Sequence, residues 1–302
     1  MNKEPVKHHY IPQFLLRNFC FDDRGHLFYY DKKTSEISKR KTKEIFMVSN
    51  LYRDEINNTQ NPTKIETDMA RFESEVAHII TERFLNEDEI SITLDEDEKL
   101  KLFFAIMAFR SKITSDNFGR GLSDESKAFY SMYQKDGDLN DFWKRNLGYL
   151  VNCRSIGEVL SNKEIDDPIK VFFMRDTIGS FELYFIVAER RGPIDFVISD
   201  VYPTLVYGVT DGGMELLLYS ILPISPDRVI LLASNGVEGS PQSFSVLSDE
   251  ILKKPKLNPN KKIIKIHVKK IYENEVKYIN SVLINEAYEG YAFRNKDRIN
   301  TI

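Results

Sequence analysis

From about Thr63 the apolar residues recur at helical spacing. Ile65, Met69, Phe72, Val76, Ile79 and Ile80 fall on one face, while Glu66, Asp68, Glu73 and Glu75 lie outside that stripe. The pattern predicts an amphipathic helix of about six turns. A second helix is announced by Thr93-Leu94-Asp95-Glu96, a capping box in which Thr93 and Glu96 satisfy free amides reciprocally, and it carries Leu100, Phe103, Phe104 and Met107. Two more are predicted over 123–134 and 139–151, the latter burying Phe142, Trp143, Leu147 and Leu150. Short connections favour antiparallel packing of these helices. From Ile169 the period shortens to that of strands, over 171–173, 181–188, 195–198, 216–219, 229–232 and 263–269. The second and third of these join at Arg191-Gly192-Pro193. Turn-bounded strands with little helix between them imply a mainly antiparallel sheet. A last helix is predicted over 273–289, with Val276, Ile279, Val282, Leu283 and Ala287 as its apolar stripe.

The chain opens differently, on His8-His9-Tyr10-Ile11-Pro12-Gln13-Phe14-Leu15-Leu16-Arg17-Asn18-Phe19. Five of these side chains, Ile11, Phe14, Leu15, Leu16 and Phe19, offer enough apolar area to tie down a terminus that would otherwise fray. Pro12 bars Ile11 from helical geometry but suits a first helical turn. The reading is an extended lead-in over His8 to Tyr10, then a short helix from Pro12 to Arg17. Because neighbours on an extended chain point to opposite faces, at most one of His8 and His9 looks into any given pocket. Residues 19–30 read as a hairpin turning at Asp22-Asp23 with Gly25 left-handed, a second turn over 32–35 leads to a strand near 36–39, and 57–62 is a polar loop. The order of strands, helices, strands and helix gives an α+β class. We expect one compact domain over 1–302, with subregions 1–56, 63–152 and 169–302, the N-terminal meander joining the later sheet.

Composition narrows this picture. With 302 residues, 42% apolar, 20 Phe and 15 Tyr, the chain buries a substantial core and is not disordered. A net charge of -4 creates no global field that would draw in nucleic acid or membranes, so such binding rests on local patches. Cys20 and Cys153 make neither a disulfide framework nor a zinc site. The opening residues lack the apolar core of a signal peptide, and the longest apolar run, near Leu216 to Leu222, is too short to cross a bilayer. A soluble cytoplasmic protein with no membrane partner is expected.

Three groups of residues carry candidate chemistry. His8 and His9 can serve as base or metal ligand, and Asp200 stands at a strand end, a frequent place for functional groups. His9 and Asp200 sharing a divalent ion such as Mg or Mn would activate water for phosphodiester hydrolysis; as structural groups, the imidazoles bond backbone carbonyls and Asp200 caps a turn. Arg110 shares the helical stripe of Phe103 and Met107, so its charge is drawn inward and needs an internal carboxylate or an anionic ligand. Arg17 poses the same choice. Residues 253–270 hold Lys253, Lys254, Lys256, Lys261, Lys262, Lys265, Lys269 and Lys270 without an acid, and alternation sets Lys265, His267 and Lys269 on one face. That row could grip a phosphate backbone, or guard an exposed strand against edge pairing. Lys39-Arg40-Lys41 with Lys43 is a smaller basic cluster. No Gly-x-Ser-x-Gly elbow, cysteine–histidine motif or phosphate-cradling glycine loop occurs.

The opening string HHYIPQFLLRNF resembles the signature of an uncharacterised, mainly bacterial family, domain of unknown function 4238. Arg110 after an apolar helix, Phe196-Val197-Ile198-Ser199-Asp200, and Leu222-Pro223-Ile224-Ser225-Pro226 extend the resemblance over most of the chain. Val201-Tyr202-Pro203 stands where such members carry Asn-Pro after Ser-Asp. The resemblance brings no activity with it; it implies a bacterial setting and, for some members, genes of defence against phage nearby. Together these expectations sketch a host-defence effector acting as a metal-assisted nuclease. In that scheme His9 is ligand or base, helped by His8, Asp200 is the metal carboxylate, Arg110 clamps phosphate, and Lys262, Lys265, His267 and Lys269 track the nucleic acid. The alternative is a non-catalytic module that binds a phage or host protein.

Overall fold

A computed structural model describes residues 7–135, 137–173, 183–209, 215–234, 247, 251–258 and 262–299. The first part of the chain forms β1 (Lys7–His9), α1 (Gln13–Arg17), β2 (His26–Asp31), β3 (Glu36–Lys41) and β4 (Met47–Ser49). The helical part follows as α2 (Lys64–Ile79), prolonged by a wider turn to Phe84, then β5 (Glu89–Thr93) and α3 (Leu94–Phe109). It continues with α4 (Lys112–Asp116), α5 (Asp124–Ser131), α6 (Leu139–Leu150), α7 (Ile156–Ser161) and α8 (Asp167–Phe173). Last come β6 (Leu183–Arg190), β7 (Ile198–Ser199), β8 (Thr204–Val209), β9 (Glu215–Pro223), β10 (Arg228–Ser234), β11 (Lys256–Asn258), β12 (Ile263–His267), β13 (Lys269–Ile271), α9 (Glu273–Glu286) and β14 (Gly290–Phe293). The class is α+β.

The centre is a five-stranded sheet in the order β13-β6-β10-β9-β8, antiparallel except for the parallel β13–β6 pair. Both faces of this sheet are buried, and alternate residues serve different cores. Leu183, Phe185, Val187, Ile230 and Leu232 face the helical layer of α2, α3 and α6. Tyr184, Ile186, Ala188, Val229 and Leu231 face α9 through Val276, Ile279 and Leu283. The opening meander forms a second sheet, β3-β2-β14-β7, apart from the central one; it joins later strands, but through β7 and through β14, a strand the sequence reading did not include. The capping box at Thr93 is present, with Glu96 N–H donating to the threonine hydroxyl at 3.2 Å and the glutamate accepting from Thr93 N–H at 2.8 Å.

Several expected strands differ from those observed. Val171-Phe172-Phe173 lie in α8, not in a strand; three successive apolar residues fit either period, and Asp167-Pro168 just ahead is a helix start. Phe181 and Glu182 fall outside the described residues. Residues 195–198 form no hairpin with β6, because their amides are engaged elsewhere: Asp195 donates to Arg298 O, Phe196 to Pro226 O and Val197 to Asn280 Oδ1. The predicted strand over 263–269 breaks at Val268, whose N–H donates to Asp88 O. β12 before the break sits in the middle of a sheet β11-β12-β5, and β13 after it joins the central sheet. The turn at Gly25 is left-handed with φ +77, but the limb before it is not a strand.

Gly290 shows how closely the two ends of the chain approach. A Cβ there would strike the carbonyl oxygen of Tyr30 and the ring of Tyr29. Gly290→Ala should therefore lose about 3 kcal/mol in urea unfolding. Gly119→Ala, whose nearest neighbour would be Asn140 Nδ2 at 4.0 Å, should stay within about 0.5 kcal/mol of the parent.

Candidate functional site

The opening packet is built as a lid on the helical layer. β1 pairs with β4, matching His8 with Val48 and His9 with Met47, and strand alternation separates the two histidines as expected. His8 turns fully inside, where its Nδ1 accepts the Tyr52 N–H at 2.9 Å and its ring stacks on Tyr52 at 5.5 Å between centroids. His9 stays half-buried, with the side-chain amide of Gln13 3.2 Å from its ring. Burial holds the His9 imidazole below its ordinary pKa, with the Arg110 charge adding to the effect. It is therefore neutral near pH 7, able to accept a proton or a metal ion.

Arg110 ends α3 and is 1% exposed. Its Nε donates to Tyr10 O at 3.1 Å and one terminal nitrogen to His9 O at 2.9 Å, while the other pairs with Glu73 on α2. The Tyr52 hydroxyl in turn donates to Arg110 O at 3.0 Å. Of the two expected partners, the internal carboxylate is the one found. Glu66, seven positions before Glu73 in the sequence and so on the same helix face, joins this group. One of its carboxylate oxygens is buried without a hydrogen-bond partner. Burial pushes the Glu66 carboxyl up to about 7; Arg110 pulls it down and Glu73 pushes it further up.

Asp200 follows β7 and is 4% exposed. Its Oδ1 accepts Tyr288 N–H at 2.7 Å, and its Oδ2 accepts the amides of Glu289 and Gly290. The carboxylate thus caps the turn between α9 and β14. Burial raises its pKa against the pull of those three amides. Among the described residues no group of three or more His, Cys, Asp or Glu side chains is placed to hold a metal ion.

The basic row is also not assembled as drawn. Lys265 pairs with Glu89 on β5, and His267 Nδ1 lies 3.7 Å from the same carboxylate. Lys269 belongs to β13 in another sheet, and Lys270 pairs with Glu189 at 2.6 Å. Lys262 is exposed at a left-handed residue, φ 48, that leads into β12. Since β12 is a central strand, its lysines guard no edge. The acids that neutralise them are distant in sequence, which is why the segment looked unopposed. Arg17 is exposed on α1. Cys20 and Cys153 both have thiols raised by burial, which disfavours a nucleophilic thiolate.

Two cavities lie among the described residues. One, of about 980 Å³, opens between α2, the start of α3 and the α6–α7 connection, lined by Arg71, Glu75, Lys99 and Arg154 among others. The other, of about 550 Å³, is lined by Ser111, Thr114, Tyr202 and Glu286 among others. Neither is lined by His9, Arg110 or Asp200 themselves. Sequence reading missed Glu66, Glu73 and Tyr52. The seven-residue spacing of the two acids was the available signal, though it gained meaning only once Arg110 was seen to need a partner.

Comparison with known proteins gives one match: the model of the family described as Protein of unknown function (DUF4238) covers residues 7–297. No curated protein and no solved structure matches the chain.

Two outcomes are expected. Arg110→Met strands Glu73 and the carbonyls of His9 and Tyr10, and should cost about 3–5 kcal/mol in chemical denaturation. For Glu66 the folded pKa lies above the unfolded one, near 4.5, so the folded state binds the extra proton between those values. Stability then falls as pH rises from about 4.5 to 7. The cost above pH 7 is at most about 3.5 kcal/mol, at about 1.4 kcal/mol per pH unit. Glu66→Gln should raise the calorimetric midpoint at pH 8 by about 5 °C and leave it unchanged at pH 4.5.

Proposed function

The chain belongs to that family, and from this premise we propose that it is a hydrolase of bacterial host defence, cleaving phosphodiester bonds by acid–base chemistry at Glu66 and His9. The observation that carries the reading is the Glu66 carboxyl, near pKa 7 with one buried oxygen unbonded. A proton-transfer group works best when its pKa is close to the working pH, and buried acids shifted in this way cluster at functional sites. His9, neutral and half-buried, supplies a second group that can take a proton or a divalent ion such as Mg or Mn. His8 and Arg110 hold the packet in place. Asp200, expected as a metal carboxylate, already accepts three backbone amides, and the acid of this reading is Glu66. The defence setting and the phosphodiester substrate rest on the family resemblance and on residue chemistry.

One observation favours the alternative, a non-catalytic module that binds a phage or host protein. Arg110 is almost fully buried, and each of its nitrogens has an internal partner, which makes it a structural tie and no clamp for phosphate. Incubation of the purified protein with plasmid DNA, single-stranded DNA and RNA, with Mg, Mn or a chelator, separates the two. Under the enzymatic reading Glu66→Gln and His9→Ala each lose about 10²-fold or more in rate with the fold intact, and the rate profile bends near pH 7. Absence of cleavage by the parent protein under every condition would transfer the assignment to the recognition module.

A further inference from the structure

The sheet β3-β2-β14-β7 has two unlike faces. Leu27 and Tyr29 point toward the opening packet, where Tyr29 meets Phe46 at 5.7 Å between centroids. Phe28 and Tyr30 point the other way. They sit across from Phe293 and Tyr291 on β14 and from Lys39 and Ile37 on β3. On that second face the β14 side is closed, Tyr291 and Phe293 being buried in the α9 core. The β2–β3 side reaches past this cover: Phe28 and Tyr30 are only half-buried, Ile37 is 37% exposed, and the Lys39 side chain is 51% exposed.

Phe21 adds a further ring. Its N–H donates to His26 O at 2.8 Å, which folds the residue back over β2. There its ring stacks on Phe28 at 4.8 Å between centroids and stays 37% exposed. Two ammonium groups cap these rings. Lys39 Nζ stands 4.9 Å from the Phe21 centroid and Lys296 Nζ 4.8 Å from that of Phe28. Lys39 has Asp22 at 3.6 Å, whereas Lys296 makes no ion pair among the described residues.

We infer that this face, with Phe21, Phe28, Tyr30, Lys39 and Lys296, is a binding surface for single-stranded nucleic acid. Exposed aromatic rings offer flat faces on which unpaired bases stack whatever their sequence, and the flanking ammonium groups stand where the phosphates of such a strand would run. A duplex hides its base faces and gains only the charge. Lysines on the edge strand β3 also discourage edge pairing, but that role gives no reason for an exposed phenylalanine stacked on a second ring with a cation on each. The surface is separate from the acid–base site, since the sheet lies between them, and the inference does not depend on that site being catalytic.

The test is fluorescence anisotropy with labelled 15-nucleotide single-stranded DNA and RNA, a duplex of the same sequence, and dextran sulfate as competitor. It uses the full chain, Phe21→Ala, Lys296→Glu and Glu66→Gln. Single strands should bind at least about tenfold tighter than duplex at equal salt. Phe21→Ala should weaken binding about tenfold or more, and Lys296→Glu should weaken it while flattening the salt dependence by about one counterion. Glu66→Gln should bind as the parent does, so loss of cleavage and loss of binding are read apart. No binding by the parent, equal affinity for duplex or dextran sulfate, or an unchanged Phe21→Ala would overturn the inference. Because Phe21 is surface-placed, circular dichroism should show that variant folded.

Discussion

The buried guanidinium of Arg110 is the contact on which the arrangement of this protein turns. A charge this far from water is tolerable only if its donors find acceptors. Here the acceptors come from two sources: the Glu73 carboxylate on α2 and the backbone carbonyls of His9 and Tyr10. The apolar anchors Ile11, Leu15, Leu16 and Phe19 bring the opening segment onto the helices, but hydrophobic contact is non-directional. The two carbonyl bonds give it a register. Tyr52 closes the arrangement by binding the Arg110 carbonyl and stacking on His8.

Asp200 does the mirror-image task at the other end of the chain. The buried cation takes carbonyls and the buried anion takes amides, so each fixes a stretch of backbone that has few regular hydrogen bonds of its own. This explains why the opening string and the Ser-Asp strand end stand out in the sequence. Side chains that bond main chain depend on local backbone shape, and such dependence leaves residue-specific marks that apolar packing does not.

That contrast also explains what the sequence could disclose. The long helices α2, α6 and α9 were legible because each presents one face to a core and one to water or to polar neighbours; α3 is buried all round from Leu102 to Met107, and the Thr93 capping box marked its start to the residue. In the central sheet β6, β9 and β10 were visible as apolar runs, though buried on both faces and so stripped of alternation, whereas β8 was missed. Misreadings fell where a run was too short to carry a period. Val171 to Phe173 is one such case and the four residues of β14 another. Lys265 and Lys270 looked free because Glu89 and Glu189 approach them only through sheet pairing.

Glu66 is the least legible residue and the most informative. On the sequence it is one more acid outside the apolar stripe of α2. In the structure Glu73 takes Arg110, and Glu66 is left within reach of the same positive charge but without a bond to it. Two acids on one helix face thereby acquire unlike conditions: Glu73 is paired with Arg110, while burial drives Glu66 toward its neutral form. Environments that push like groups apart are how one site obtains both an acid and a fixed charge. A glutamine at position 66 would preserve the shape at lower cost to the fold, so a carboxyl retained there reduces stability at neutral pH. A structural role gives no reason to accept that reduction, whereas proton transfer does.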